Sequence, residues 1–275
     1  MTTAMRGRVL AIGGSDSGGG AGIQADLKTI CALGAHGMSA VTALTAQDTR
    51  GVHAVHFVPL PFVRLQIELA LADPGVDAIK TGMLVDAETV AAVCAVLEMH
   101  EPVPLVVDPV LASTAGQSLL AIEAVAMLKR RLLPLASLLT PNIPEAEVLA
   151  GMPITSLADM HEAAAALLTL GVPAVLLKGG HLPGPRVVDL LATLDGVEAF
   201  ESPRIGTRHT HGTGCTLASA IATGFAQGLD TRDAVLRARA YVHAAIEAAP
   251  GFGAGHGPLN HAVYAGPPPS FALVS

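Results

Sequence analysis

Short apolar runs alternate along this chain with longer stretches in which apolar residues recur every three or four positions. Val9-Leu10-Ala11-Ile12 reads as a buried strand that breaks at the run from Gly13 to Gly20. Ile23, Leu27, Ile30 and Cys31 then fall at helical spacing. Further strand-like runs cover residues 40–44, 54–58, 78–79, 105–107, 138–139 and 174–177, and helical stretches cover 59–72, 86–99, 119–133, 156–169, 213–227 and 230–248. Buried strands alternating with helices predict βαβ units, hence an α/β fold with a mainly parallel sheet and helices on both faces. No internal repeat, charge block or low-complexity linker divides the chain. One domain over residues 1–275 is expected, with the Gly/Pro-rich segment 250–275 as an irregular, mobile tail.

Composition narrows the function classes. Hydrophobic residues fill 51% of the positions and charged residues 14%, so the chain can bury a large core and is no disordered polymer. Aromatics are 3% with no tryptophan, so that core must be built from Ala, Leu, Val and Ile. A net charge of −7 argues against partners such as nucleic acid or an anionic membrane, which want a basic face. No stretch reaches the ~18 uninterrupted apolar residues of a membrane span. Val9–Ile12, behind Arg6 and Arg8, is too short for the core of a signal peptide. Cys31, Cys94 and Cys215 are odd in number, widely spaced and free of any C-x-x-C pattern. They suit a reducing compartment, so a cytoplasmic protein is expected, with neither a disulfide framework nor a cysteine zinc site.

In an open α/β sheet, ligands bind beyond the carboxyl ends of the strands, and four turns there are rich in glycine or polar residues. Gly13–Gly22 could bring backbone N–H groups close to an anion at a helix start. Its spacing fits neither the P-loop nor the dinucleotide fingerprint, and a tight turn capped by Asp16 or Ser17 explains it as well. Asp108 directly follows the run 105–107, placed either to orient a cation or substrate hydroxyl or to bond its own turn. In Thr140-Pro141-Asn142-Ile143-Pro144-Glu145, Asn142 suits an N-cap, Pro144 a first helical turn and Glu145 the positive end of the dipole. Asn142 and Glu145 could equally hold a hydrated Mg²⁺ and its phosphate.

The fourth turn, Thr210-His211-Gly212-Thr213-Gly214-Cys215-Thr216, opens an Ala-rich helix and aims several N–H groups at one spot, an anion hole for a transferring phosphoryl group. Cys215 falls in the first turn, where the dipole is expected to lower its thiol pKa. Lys178, one of four lysines, ends the run 174–177 just before Gly179-Gly180, where its charge would meet a phosphate. His209 and His211 have no third metal ligand beside them and read as surface or supporting residues. Phosphoryl transfer fits these features best.

Taken together, the motifs carry a resemblance. The run AIGGSDSGGGAGIQADLKTICALGAHGMSAVTALTAQDTRGV, then IKTGML, VVDPV, LLTPNIPEAEVLAG, LLKGGHL and HTHGTGCTLASAIATG, resembles in order the hydroxymethylpyrimidine/phosphomethylpyrimidine kinases of thiamine biosynthesis, in the ribokinase superfamily. The similarity covers roughly residues 8 to 250. It implies a ribokinase-like three-layer sandwich that uses ATP and Mg²⁺. It also implies two successive phosphorylations, of 4-amino-5-hydroxymethyl-2-methylpyrimidine and then of its monophosphate. By the same resemblance Gly14, Gln47, Met83 and Val110 fall at the pyrimidine pocket. Asp108 and Glu145 fall at metal positions, and Asn142, Lys178, Thr210 and Gly212 at nucleotide-phosphate positions. Lys178, Gly212, Gly214 and Cys215 form the catalytic set, with Cys215 at the position of the general base.

Two positions depart from the pattern. The wider superfamily usually has Asp where Cys215 stands, and many relatives read Asp-Pro-Ser where this chain has Asp16-Ser17-Gly18. Gln47 suits the pyrimidine chemically, because a carboxamide offers a donor and an acceptor side by side. A pyridoxal kinase of the same superfamily, a non-catalytic pyrimidine-binding protein and a dinucleotide oxidoreductase are the competing readings. A homodimer is the expected assembly.

Overall fold

Val9, Val106 and Leu176 bury their side chains in one apolar cluster, while Leu10, Ile12, Leu105, Val107, Val175 and Leu177 bury theirs in another. Neighbours along each strand point to opposite faces of a sheet, so both faces here are dry. That is why these runs carry no polar alternation in sequence. The computed structural model describes residues 6–111 and 122–263.

In chain order the elements are β1 (Arg8–Asp16), α1 (Gly22–Ala32), β2 (His36–Asp48), β3 (Gly51–Phe57), α2 (Leu60–Ala72), β4 (Ala78–Thr81), α3 (Ala87–Leu97), β5 (Leu105–Val107) and α4 (Ile122–Met127). They continue with β6 (Leu138–Leu139), α5 (Ile143–Ala150), α6 (Leu157–Leu168), β7 (Ala174–Leu177), β8 (Arg186–Thr193), β9 (Gly196–Pro203), α7 (Thr213–Ala226) and α8 (Thr231–Glu247). Helix α4 runs on through a π turn (Leu128–Leu132) and a 3-10 turn (Leu133–Leu135). The strands form one sheet in the order β3-β2-β1-β4-β5-β6-β7-β8-β9. From β2 to β7 the pairing is parallel, and the β2–β3, β7–β8 and β8–β9 pairs are antiparallel. Helices α1, α7 and α8 cover one face through Ile30, Ile221, Val235 and Tyr241. Helices α2, α3, α5 and α6 cover the other through Ile67, Val93, Leu149 and Met160. The result is the expected three-layer α/β sandwich. Among the described residues no helix is long and apolar enough to cross a membrane.

The structure corrects three expectations. Strand β1 does not break at Gly13. After a register shift between Gly13 and Gly14 it stays paired to β2 as far as Asp16 opposite Thr45, because the ladder supplies the order that the glycines lack. The hairpin β8–β9 carried no strand expectation at all. Its closing pair Thr193–Gly196 brackets Leu194-Asp195, and the Asp195-Gly196 step was the available turn signal. The expected mobile tail is, over residues 251–263, irregular but packed. Leu259 and His261 are buried, Tyr241 Oη donates to the His261 carbonyl at 2.6 Å, and His256 N–H donates to Thr49 O at 2.8 Å. Residues 119–121 of the expected helix 119–133, and 264–275 of the tail, lie outside the described residues.

Candidate active site

The parallel strands end at one edge, and the sheet's hydrogen bonds continue one or two residues past them. Gly82 N–H donates to Ile12 O (2.8 Å), Asp108 N–H to Thr81 O (3.0 Å), Thr140 N–H to Val107 O (2.9 Å) and Lys178 N–H to Pro141 O (2.9 Å). This extension sets Met83, Asp108, Asn142 and Lys178 in register along the rim. Above it opens a cavity of about 1360 Å³. Ligand pockets usually span ~300–1000 Å³, so this one has room for two molecules side by side. Every site residue expected from the sequence lines it: Gly14, Gln47, Met83, Asp108, Val110, Asn142, Glu145, Lys178, Thr210, Gly212, Gly214 and Cys215.

At one end, charge converges. Lys178 Nζ lies 3.2 Å from Asp108 Oδ1 and 3.9 Å from Glu145 Oε2, with all three side chains largely buried. Burial opposes the lysine's charge, but the two carboxylates prevail and raise its pKa. Burial pushes the Glu145 carboxyl up to about 7, with Lys178 pulling down and Asp108 pushing further up. Asn142 and Glu145 also form the capping box of α5. Asn142 Oδ1 accepts the Glu145 N–H at 2.9 Å, and Glu145 Oε2 accepts the Asn142 N–H at 2.7 Å. Capping and ion pairing therefore meet on the Glu145 side chain.

The N-terminus of α7 faces this cluster. The amides of Gly214 and Cys215 stand in a first turn, where helix geometry provides no carbonyl partner. A methyl group on Gly214 would sit 3.3 Å from Lys178 Nζ and 3.5 Å from Asp108 Oδ2. Lysine, carboxylates and helix dipole thus meet at one point. Cys215 contradicts the sequence expectation. Burial pushes its thiol up to about 12, and the helper charge of Lys80 is outweighed, with Asp26 and Asp108 pushing the same way as burial. The dipole of α7 does not yield a thiolate. Beneath it, Lys80 donates to both Asp26 oxygens at 2.9 and 3.0 Å, and Ser219 Oγ donates to Asp26 at 2.7 Å, a buried pair that the sequence reading did not anticipate.

At the other end the lining includes Gly14, Met83 and the Gln47 carboxamide. A side chain on Gly14 would overlap Met83 Cε, so glycine is what lets Met83 lie flat against the strand edge. Thr42 Oγ1 pins the Met83 carbonyl at 2.7 Å. The Gly13–Gly22 loop is not an anion cradle, because its amides turn inward. Gly18, Gly20 and Ala21 donate to the Asp16 carboxylate at 2.8, 3.0 and 2.8 Å. Of the two roles the sequence left open, surface or supporting, His211 takes the second. It is buried, and its Nε2 lies 2.9 Å from Asp16 Oδ2 and 3.1 Å from the Gln47 amide. No sequence signal paired Asp16 with a residue 195 positions away. His209 packs against Gly257 instead and does not line the cavity. Among the described residues no three His, Cys, Asp or Glu side chains form a metal-binding group.

A family model described as phosphomethylpyrimidine kinase matches residues 16–260. The chain is 54% identical over 256 residues to the thiamine biosynthesis bifunctional protein ThiED of Geobacter sulfurreducens, covering 93% of this chain but 52% of that one, about half its length. It is 50% identical over 255 residues to the hydroxymethylpyrimidine/phosphomethylpyrimidine kinase of Streptomyces coelicolor, covering 92% of this chain and 93% of that one. Among solved structures, the pyridoxal kinase from Staphylococcus aureus in complex with AMP-PCP and pyridoxal superposes with a TM-score of 0.88 at 35% identity, over 94% of this chain and 95% of that chain.

Proposed function

Because this chain belongs to the phosphomethylpyrimidine kinase family, we infer that it is an ATP-dependent phosphotransferase of thiamine biosynthesis. It phosphorylates 4-amino-5-hydroxymethyl-2-methylpyrimidine and then the monophosphate, giving the diphosphate. The observation that carries this reading is one cavity with two unlike ends. An end lined by Met83 and the Gln47 carboxamide stands beside an end where Lys178 and the start of α7 converge. Phosphoryl transfer asks mainly for positioning and charge stabilisation, and that second end offers both.

We assign Gly14, Gln47, Met83 and Val110 to the pyrimidine, and Asn142, Thr210 and Gly212 to the nucleotide phosphates. Lys178 and the amides of Gly214 and Cys215 stabilise charge on the transferring group. The rim cluster also fits Mg²⁺. Asp108 and Glu145 place two carboxylates, which are hard oxygen donors, against the single ammonium of Lys178. Bound there, the ion would neutralise phosphate charge. Asp108 and Glu145 would hold it, while Lys178 keeps the carboxylates from repelling the phosphates when it is absent.

Cys215 acts in this scheme as a protonated thiol that shapes the anion hole. A base would matter for the alcohol and not for the monophosphate, whose oxygen is already ionised. Anionic phosphates nearby would raise the thiol further. Cys215→Ala should therefore reduce both phosphorylations by similar factors, measured separately at saturating ATP. A loss confined to the alcohol would restore the base.

The overall reading is tested by product analysis with ATP, Mg²⁺ and the hydroxymethylpyrimidine. Mono- and then diphosphate should accumulate, and formation of neither overturns it. Pyridoxal, assayed in parallel, tests the competing vitamin B6 reading that the structural neighbour raises. A cytoplasmic homodimer remains our assignment for the assembly. Its support is that α2 leaves Phe62, Leu65 and Leu69 exposed, and that the outer strand β3 leaves Val55 and Phe57 exposed. Sedimentation velocity reads the mass directly.

A further inference from the structure

Gln47, His211, Asp16 and Thr45 form a hydrogen-bond chain in which few arrangements of hydrogens are possible. Asp16 is a carboxylate. Burial works against its charge, yet His211 and the amides of Ala21 and Gly18 hold its pKa below the ordinary value. A carboxylate only accepts, so the His211 Nε2 that lies 2.9 Å from it carries a hydrogen, whether the ring is neutral or cationic. That nitrogen has no lone pair left for a second donor. The end of the Gln47 amide 3.1 Å away must then be its oxygen.

Thr45 gives the same answer from the other side. Its hydroxyl donates to the Ser15 carbonyl at 2.9 Å and has no second hydrogen. It can therefore only accept from the opposite end of the Gln47 amide, 3.3 Å away, and that end is the NH₂.

We propose that Asp16 and His211 are positioning residues which lock the Gln47 amide, oxygen toward the imidazole and NH₂ toward Thr45, and thereby make the site selective for one order of donor and acceptor on the heterocycle. A carboxamide and its 180° flip have nearly the same shape, so Gln47 alone would accept either order. The amide has two lone pairs and two hydrogens, and the lock uses one of each. What is left is one acceptor beside one donor. They match the amino group and ring nitrogen of a 4-aminopyrimidine, and they clash with the carbonyl and ring N–H of its 4-oxo analogue. This inference rests on the pyrimidine-kinase reading.

The test compares kcat/KM for the aminopyrimidine and for the 4-oxo analogue. A good bidentate pair discriminates by about 1–3 kcal/mol, or roughly 5–150-fold, so wild type should prefer the amino compound within that range. His211→Leu should lose most of that preference. His211→Gln, whose NH₂ can still donate to Asp16, should retain it, and Thr45→Val, which removes the other half of the lock, should lose part of it. The KM for ATP reports on the integrity of each variant. A purely structural role for His211 would lower both substrates alike and leave their ratio untouched, and an unchanged ratio in His211→Leu and Thr45→Val overturns the lock. If wild type phosphorylates neither compound, the pyrimidine reading fails and the lock fails with it.

Discussion

Lys178→Ala should lower turnover by about 10²–10³-fold, the usual loss when one preorganised charge-stabilising donor is removed, while titration of the pyrimidine changes little. The lysine stands at the charged end of the cavity, paired with Asp108 and bridged to Asn142. Its loss also strands two buried carboxylates, and Glu145, already raised to about 7, loses the charge that pulls it down. Its pKa in the folded state then rises further above the ordinary 4.5. A carboxyl raised by folding binds more protons in the native state than in the unfolded one, so stability falls as pH climbs from the unfolded value toward the folded one. The melting temperature of Lys178→Ala should therefore drop more steeply than that of wild type above about pH 4.5. Turnover within a few-fold of wild type would remove Lys178 from the transfer step. A flat pH dependence would mean that Asp108 and Glu145 have found another partner.

Gly212→Ala should damage fold and activity together. Gly212 has φ = +85°, a left-handed conformation that costs an alanine about 1–2 kcal/mol. The added methyl would also overlap the Gly20 carbonyl oxygen and stand 3.1 Å from Ala21 Cα. Both obstacles are backbone, so either the glycine loop or the start of α7 must move. A shift of ~1 Å in the amides of Gly214 and Cys215 is enough for a loss near 10²-fold. Both phosphorylations should suffer equally, since the proposed anion hole serves both. Gly206→Ala, where nothing lies within 4 Å of the new methyl, serves as the neutral control. A Gly212→Ala enzyme with wild-type melting temperature and turnover would show that this contact is relieved without cost.

The two variants bear on different layers of information. The strands behind Lys178 and the helix behind Gly212 were legible in sequence, because burial on both faces writes an unbroken apolar run and an amphipathic helix writes a 3.6-residue period. The short strand 105–107, the capping residues Asn142 and Glu145 and the Gly-x-Gly opening of α7 are local features, and the structure has them where the pattern put them. Hairpin β8–β9 escaped because it is an edge whose strands carry Asp189, Glu198 and Glu201, so its apolar signal is broken. Strand β1 outran its expectation because pairing with β2, a non-local contact, held residues that glycine made locally indifferent.

The sequence by itself determined the order of the elements, the polar residues that end each parallel strand, and the family resemblance those motifs carry. The tertiary structure decided what those residues are chemically. Cys215 sits at a helix start that should favour a thiolate, yet burial and the carboxylates of Asp26 and Asp108 leave it a thiol. Asp16 turns the amides of its own loop inward, and a histidine 195 positions along the chain completes its shell. Periodicity and capping act over a few residues and are written in the chain. Desolvation and hydrogen-bond partnership depend on groups that only folding brings within 3 or 4 Å, and no local pattern specifies them.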